Sequence, residues 1–373
     1  MRIAIDARIL ERKMTGVGRY ISGLLNHIQE YDSTNQYILI SQVQLKNLPD
    51  GFESVVTGNQ KFIPEKLYSP VWTNFVLPKV LKNNEIDIFF SSNQLVPIRK
   101  VKGVKYISAI YDVFHRVDKS FHSRTFRTYI DIFLRLTISK SDHTITISEN
   151  SKKDIQRYFS VSHSKISVIY PAADEQFHPQ LISEIEREHI QEKYSLAEKY
   201  ILYVGVIEKR KNIYTILKVA DEFFISDPEI KFVMIGRPGY GSTPILNEVK
   251  KRRNIIYLNH ILDNDLVFIY NLASVFIFPS FYEGFGLPPV EAMQTGIPVV
   301  ASNTSSLKEI LEGSAILIDP LDDKTFYKEI KRLLNDPKYS EEWRNKGLVG
   351  SRKFNFAHSA KELVKLFNSI QSI

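Results

Sequence analysis

The chain is 373 residues long, 43% hydrophobic, without cysteine, and carries a formal net charge of +7. That length suits two domains with sizeable cores, and the lack of cysteine excludes a disulfide framework, a thiolate nucleophile and a cysteine metal site. The apolar start Met1–Asp6 is too short for a signal peptide, and no apolar run approaches the roughly 20 residues that span a bilayer, so the expectation is a cytoplasmic protein, soluble or peripheral on the inner face of the membrane.

Residues 2–6 read as a short buried strand, followed by the loop Thr15-Gly-Val-Gly-Arg19 and a helical pattern over Val17–Ile28. Further strand patterns cover Tyr37–Ser41, Asp87–Ser91, Tyr106–Ile110, Thr144–Ile147 and Ser167–Tyr170, with helical patterns between them, notably Val71–Leu81 and Arg124–Ser139. Such alternation predicts a parallel sheet covered on both faces. Residues 1–172 hold 24 Lys and Arg against 15 Asp and Glu, a net +9, whereas the remainder carries −2. A basic half beside a near-neutral one fits an anionic partner for the first half, or an ordinary solvated basic surface.

A proline-bearing, charged stretch over residues 173–198 reads as a linker. A second alternating series then begins, with strands at Tyr200–Val204, Lys231–Ile235, Ile255–Leu258, Val275–Phe278, Pro298–Ala301 and Ala315–Ile318. Each is short and apolar, as a parallel strand buried on both faces must be. The tail from Ala357 is amphipathic, with Leu363, Leu366, Phe367 and Ile370 at helical spacing. The fold class is therefore α/β, in two doubly wound domains with a ligand cleft expected between them.

The segment Glu283-Gly-Phe-Gly-Leu-Pro-Pro-Val-Glu291 follows the strand Val275–Phe278 and runs into the helical stretch Val290–Gln294. Glu283 is expected on the loop after the strand, and Glu291 in the first turn of the helix. The crevice beyond the carboxyl ends of parallel strands is where ligands bind in such sheets. The backbone N–H groups of a helix N-terminus suit an anion, and an ionised carboxylate accepts several hydroxyl hydrogen bonds. Sugar, phosphate and ribose together describe a nucleotide-sugar. Gly16-Val-Gly18 can cradle phosphate in the same way, although Ile21 occupies the third glycine position of a dinucleotide fingerprint and a lone Gly-x-Gly is ordinarily a tight turn. Val204-Gly-Val-Ile-Glu-Lys-Arg-Lys-Asn212 follows the first strand of the second series. A lysine there can stabilise charge on a departing phosphate, or the loop is simply basic and solvated.

The string Glu283-Gly-Phe-Gly-Leu-Pro-Pro-Val-Glu-Ala-Met293, with Gly296-Ile-Pro-Val-Val-Ala301 after it, resembles the EX7E signature of retaining glycosyltransferases of family 4, which have the GT-B fold. The resemblance runs from Met1-Arg-Ile-Ala-Ile-Asp-Ala-Arg8 to Arg352-Lys-Phe-Asn-Phe356. It implies two Rossmann-like domains facing across a cleft: an acceptor-side domain over 1–172, a nucleotide-sugar domain over 199–351, and a final helix, 352–373, returning to the first domain. It implies that Gly16, Val17 and Gly18 close on the donor pyrophosphate, and that Lys211, with help from Arg210, binds phosphate. Glu283, Gly284, Phe285, Gly286 and Leu287 would face sugar and phosphate, and Glu291 the ribose. Many relatives carry an arginine where this chain has Val206. They also carry His-Asp where it has Tyr111-Asp112, so Asp112 matches, and His115 either substitutes for the family histidine or is unrelated.

Asp263-Asn-Asp265 has the spacing of an Asp-x-Asp metal motif, but Asp263 or Asn264 as a helix N-cap accounts for it. No metal site and no cofactor is expected. Arg124, Phe126, Arg127, Tyr129, Phe133 and Arg135 share one helical pattern that suits either a membrane surface or lipid-phosphate acceptor, or aromatics turned into the core. No nucleic-acid motif accompanies the charge. Together these imply a metal-independent retaining glycosyltransferase. The favoured donor is GDP-mannose, with a UDP-sugar as the other option, and the acceptor a glycan or lipid-linked glycan of surface polysaccharide. A nucleotide-sugar epimerase on the same fold and a non-catalytic sugar-binding protein are the alternatives.

Overall fold

A computed structural model describes residues 1–11, 15–46, 49–58 and 65–371. It divides into two compact units: Met1–Ala172 together with Asn355–Ile373, and Ala173–Phe354.

In the first unit the described strands are β1 (Arg2–Asp6), β2 (Gln36–Ser41), β3 (Phe52–Val56), β4 (Ile88–Ser91), β5 (Lys105–Ala109), β6 (His143–Thr146) and β7 (Ile166–Val168). They form a parallel sheet in the order β3-β2-β1-β4-β5-β6-β7. The order reverses between β1 and β4, so the carboxyl ends of those strands flank a switch point. On one face Ala4, Ile38, Ile40 and Phe89 meet Trp72, Leu77, Leu81 and Tyr106, all buried. Farther along the sheet Ile110 and Val113 meet Leu134, Ile155 and Ile166 in a second buried cluster. The strand β3 has no counterpart in the sequence reading. It lies at the sheet edge, and its partly exposed Glu53, Ser54, Val55 and Val56 break the apolar run that marks the inner strands.

The single helix predicted over Val71–Leu81 is interrupted. A helix Glu65–Val71 containing Pro70 passes into a π-helical turn, Trp72–Val76, and then into the helix Leu77–Asn83, which has Pro78 in its first turn. Prolines at both joints remove backbone donors, and a wider turn accommodates their loss. The amphipathic tail is the helix Phe356–Gln371, with Leu363, Phe367 and Ile370 buried. It packs on the helix Gly16–Tyr31, and the Phe367 ring lies 6.0 Å from Phe90 and 6.3 Å from Tyr37, centroid to centroid.

The second unit holds β8 (Tyr200–Val204), β9 (Lys231–Ile235), β10 (Ile255–Leu258), β11 (Val275–Phe278), β12 (Val299–Ser302) and β13 (Ile316–Ile318). Its described strands form a parallel sheet in the order β10-β9-β8-β11-β12-β13. Here the reversal falls between β8 and β11, and the loops after these two strands are the ones the sequence singles out. The helix Glu184–Tyr194 belongs to this unit and starts with a capping box of Ser183 and Glu186. Among the described residues no helix is long and apolar enough to cross a membrane.

Packing of the tail depends on Gly23. A Cβ built there would lie 2.4 Å from Cζ of Phe356. Gly23→Ala should therefore destabilise the first unit by about 1–2 kcal/mol. Overpacking typically costs about 1–3 kcal/mol, which exceeds the roughly 1 kcal/mol of helix propensity that alanine regains. Urea denaturation checks this, and Gly23→Ala combined with Phe356→Leu should recover part of the loss. A single variant as stable as wild type would mean that the ring yields freely.

Candidate active site

The loop after β8 turns through Lys209–Lys211 and ends at Asn212, whose φ of 51° is left-handed. That conformation brings the Asn212 side chain back, where it donates to the carbonyls of Pro279 (3.0 Å) and Pro320 (2.7 Å). The loop after β11 is thereby tied to the loop after β8. Phe281 N–H adds a bond to the Arg210 carbonyl at 2.9 Å.

Glu283 lies where these loops meet and is only 6% exposed. Lys211 Nζ donates to its Oε1 at 2.6 Å, and Arg210 Nη1 to its Oε2 at 3.2 Å. Arg210 is itself held by Glu208 Oε1, through Nε at 3.0 Å and Nη2 at 2.7 Å, and by the Tyr282 carbonyl at 2.8 Å. Burial by itself would raise the Glu283 pKa, but the charges of Lys211 and Arg210 and the Lys211 hydrogen bond outweigh it and hold the carboxyl below its usual range. Burial draws the Lys211 ammonium below its usual value, with Glu283 opposing that shift. An ammonium has three donors, so the one given to Glu283 leaves two for a ligand.

Ser305 and Ser306 shape the turn that follows. Glu283 N–H donates to Ser305 Oγ at 2.9 Å, while Ser306 Oγ donates to the carbonyls of Glu283 (2.9 Å) and Phe285 (3.0 Å). Phe285 sets its ring edge-on to Phe354 at 5.2 Å. Gly286 occupies the N-cap position with φ 103°, and a Cβ there would meet Leu307 Cδ2 at 2.7 Å. Only glycine fits that combination of conformation and contact. The helix Leu287–Thr295 starts with prolines and runs past Glu291. Glu291 thus stands in the second turn rather than the expected first, because helical geometry begins at Leu287. It is buried, and Tyr270 OH donates to its Oε2 at 2.8 Å.

The remaining candidates lie in the first unit. Thr15 caps the helix Gly16–Tyr31, its Oγ1 accepting from Gly18 N at 3.2 Å, so Gly16, Val17 and Gly18 form the first turn. Beyond β1, Arg8 grips Asp6 through Nε (2.9 Å) and Nη2 (2.6 Å), and its guanidinium lies 3.7 Å from the Trp72 ring centroid. Asp112 Oδ1 accepts from Phe114 N at 3.3 Å and so starts the short helix Phe114–Val117, which carries His115. Tyr111 points inward, donating to the Ser92 carbonyl at 2.7 Å. His115 is 3% exposed, and burial lowers its pKa to about 4 despite Asp131 nearby.

Glu283, Arg210 and Lys211 therefore form one cluster in the second unit, with Glu291 on the helix that leaves it. Asp112 and His115 share a loop in the first unit. The sequence reading missed Glu208, Tyr270, Ser305 and Ser306, which hold the chosen residues in place. Only Glu208 carried a signal, as an acid within the basic loop. Asp263 and Asn264 do not act as caps: the helix Asp263–Leu272 has Leu262 at its N-cap without a side-chain bond. Asp265 instead accepts from Lys193 Nζ at 2.7 Å and Tyr194 OH at 2.6 Å. Among the described residues no group of three or more His, Asp and Glu side chains is arranged to hold a metal.

Residues 184–348 match the family described as glycosyl transferases group 1, and residues 14–177 match Glycosyltransferase Family 4. The chain is a glycosyltransferase. The O-antigen chain mannosyltransferase B of Escherichia coli is 26% identical to this glycosyltransferase over 384 residues, covering 98% of this chain and 99% of its own. Among solved structures, sucrose-phosphate synthase from Thermosynechococcus elongatus superposes with a TM-score of 0.75 at 17% identity, covering 100% of this chain and 99% of its own. Anabaena HepE in complex with UDP-glucose does so with 0.74 at 15% identity, covering 99% and 100%. The glycosyltransferase has the GT-B fold that these neighbours share.

Lys211→Met should lower the stability of the second unit by about 3 kcal/mol, the low end for breaking a buried ion pair, because Arg210 still faces Glu283. Glu283→Gln should flatten the acid response. The folded Glu283 pKa lies below its unfolded value, so its stabilisation is complete above about pH 4.3 and is lost as pH falls through the folded value. Urea midpoints compared at about pH 7 and about pH 3 should show a smaller drop for Glu283→Gln than for wild type. An equal drop would mean that Glu283 is not held ionised.

Proposed function

We propose that this glycosyltransferase is retaining and metal-independent, taking mannose from GDP-mannose and placing it on a glycan or lipid-linked glycan during surface polysaccharide synthesis. The observation that carries the reading is the buried Glu283–Lys211–Arg210 cluster beyond the carboxyl ends of β8 and β11, where the strand order reverses. The O-antigen function in the name of the Escherichia coli relative supports mannose and a polysaccharide acceptor. The UDP-glucose held by Anabaena HepE keeps a UDP-sugar as the second choice.

In this reading residues 199–351 bind the donor and residues 1–172 serve the acceptor, with the protein cytoplasmic and peripheral on the membrane. Lys211 contacts the diphosphate with its two remaining N–H groups. Arg210, committed to Glu208 and the Tyr282 carbonyl, acts by orienting Glu283. Glu283 accepts from sugar hydroxyls, the backbone from Gly284 to Leu287 faces sugar and phosphate, and Glu291 takes the ribose hydroxyls while Tyr270 holds its other side. Gly16, Val17 and Gly18 face the pyrophosphate. Asp112 starts the turn that positions His115 on the acceptor side.

The bond from the anomeric carbon to the phosphate oxygen breaks as the acceptor hydroxyl oxygen bonds to the same face of the sugar. The hydroxyl proton passes to the departing phosphate. Charge grows on that phosphate, and stabilising it is the main task of Lys211. An epimerase would instead release free sugar without an acceptor, and a binding protein would not turn over.

A contact that strengthens with developing charge acts on turnover, whereas a ribose contact binds ground and transition states alike. Glu291→Ala should therefore weaken donor binding by roughly 10- to 100-fold with turnover little changed, as loss of hydrogen bonds to a charged group implies. Glu283→Ala should lower turnover by roughly 100-fold or more. Thermal shifts with GDP-mannose and UDP-sugars read the binding, and sugar transfer reads the turnover. Unchanged constants in both variants would end this assignment.

Transfer should also persist in EDTA, since Asp265 is engaged by Lys193 and Tyr194. Loss of activity restored by Mn²⁺ or Mg²⁺ would overturn metal independence.

A further inference from the structure

The first unit contains a cavity of about 580 Å³ whose lining includes His115, Arg116, Lys119, Arg124, Arg127 and Tyr158. Its one lining carboxylate, Asp131, is already engaged: Arg116 binds both of its oxygens, and Arg135 Nε reaches Oδ2 at 3.1 Å. Among the described residues no carboxylate lies within ion-pairing distance of Lys119, Arg124 or Arg127. Three cations therefore line one concavity whose carboxylate, Asp131, is paired with Arg116 and Arg135 instead.

Two buried nitrogens in this lining also lack hydrogen-bond partners. Arg127 Nε is one. The other is Nε2 of His115, on a side chain 2% exposed, which stops 3.8 Å short of Asp131 Oδ1. Buried polar atoms without partners are costly and uncommon. The helix Arg124–Lys140 compounds the conflict. Arg124 opens it, Arg127 follows within the next turn, and there is no acidic residue in the first turn. Cations at a helix N-terminus oppose the helix dipole, and an anion there is favoured.

We propose that this cavity binds a phosphate-ester anion, the diphosphate or phosphate group of the acceptor, through Lys119, Arg124 and Arg127, with His115 Nε2 as a further hydrogen-bonding group. Planar guanidinium groups bind phosphate oxygens in pairs. Ile132 in the lining is 51% exposed and Tyr129, one turn away, is 43% exposed, which gives the site an apolar rim suited to a phosphate carried on a lipid. This inference deepens the acceptor side of the function proposed above and rests on it. Lys211, Glu283 and Glu291 of the donor reading belong to the other unit.

The test is calorimetric titration of the full-length protein with inorganic pyrophosphate. It compares wild type, Lys119→Gln/Arg124→Gln/Arg127→Gln and Lys211→Gln. Wild type should show two sites, one lost in the triple variant and the other in Lys211→Gln. Because Arg127 is partly buried, Lys119→Glu/Arg124→Glu at two exposed positions provides a second variant, and should weaken the first-unit site by roughly tenfold or more. Undiminished pyrophosphate binding in both first-unit variants would overturn the proposal. If only Lys211→Gln keeps wild-type behaviour, the donor reading fails and this one stands. Co-sedimentation with phosphatidylcholine vesicles, with and without an equal part of phosphatidic acid, separates the sources. Binding to the phosphatidic acid vesicles that pyrophosphate displaces assigns a lipid phosphate, and pyrophosphate binding without vesicle binding assigns a soluble diphosphate ester.

Discussion

Glu283 has almost no solvent in which to ionise, and much of the second unit's local structure follows from meeting that requirement. Its two oxygens take an ammonium and a guanidinium, the guanidinium needs Glu208 as its own counter-charge, and the loop needs the left-handed Asn212 to turn back under β11. Removing two charges from water costs several kcal/mol for each ion, and a well-packed apolar replacement is often as stable or more so. Stability therefore does not explain why a glutamate, a lysine and an arginine are gathered there. The function proposed above does: a buried carboxylate beside a buried ammonium can meet hydroxyls and a phosphate at once, in surroundings where each charge acts strongly.

The first unit answers a similar requirement more locally. Asp6 and Arg8 form a buried fork two residues apart, under the Trp72 ring. The pair closes on itself and offers little to a ligand. The contrast with Lys119, Arg124 and Arg127 is chemical: these cations surround a cavity and share no carboxylate. Arg8 is cancelled within its own pair, whereas Lys119, Arg124 and Arg127 add to the net positive charge of the first unit.

Five strand patterns, at residues 2–6, 200–204, 231–235, 255–258 and 275–278, coincide in sequence and structure. Four of them are interior strands, and a parallel strand covered on both faces must be a short apolar run. The edge strand 255–258 was legible because its sequence, Ile-Ile-Tyr-Leu, is apolar throughout, whereas Glu53 and Ser54 interrupt the edge strand β3. The interruption near Trp72 hid because prolines tell that a helix is disturbed without telling how. At the site, the glutamates and the basic loop were legible as residue types at turns. Their mutual pairing was not, because Glu283 and Lys211 are 72 positions apart and nothing local selects Glu283 from the other acids. The N-cap expected at Asp263 or Asn264 falls instead on Leu262, because the helix already begins at Asp263, and the partners of Asp265, Lys193 and Tyr194, lie far off in sequence.

The union of Phe356–Gln371 with the helix Gly16–Tyr31 also fixes an order of events during synthesis. The second unit is one continuous stretch of chain, whereas the first lacks the helix Phe356–Gln371 until that segment is made, after the whole second unit. At typical elongation rates Asn355 is added roughly 10–40 s after Ala172. Throughout that interval the groove over Gly23 and the rings of Phe90 and Tyr37 lack their covering side chains. The nascent protein thus carries an apolar furrow on the first unit, closed only by a segment made after the second. A ribosome stalled just before Phe356 would hold a completed second unit and a first unit still open to chaperones.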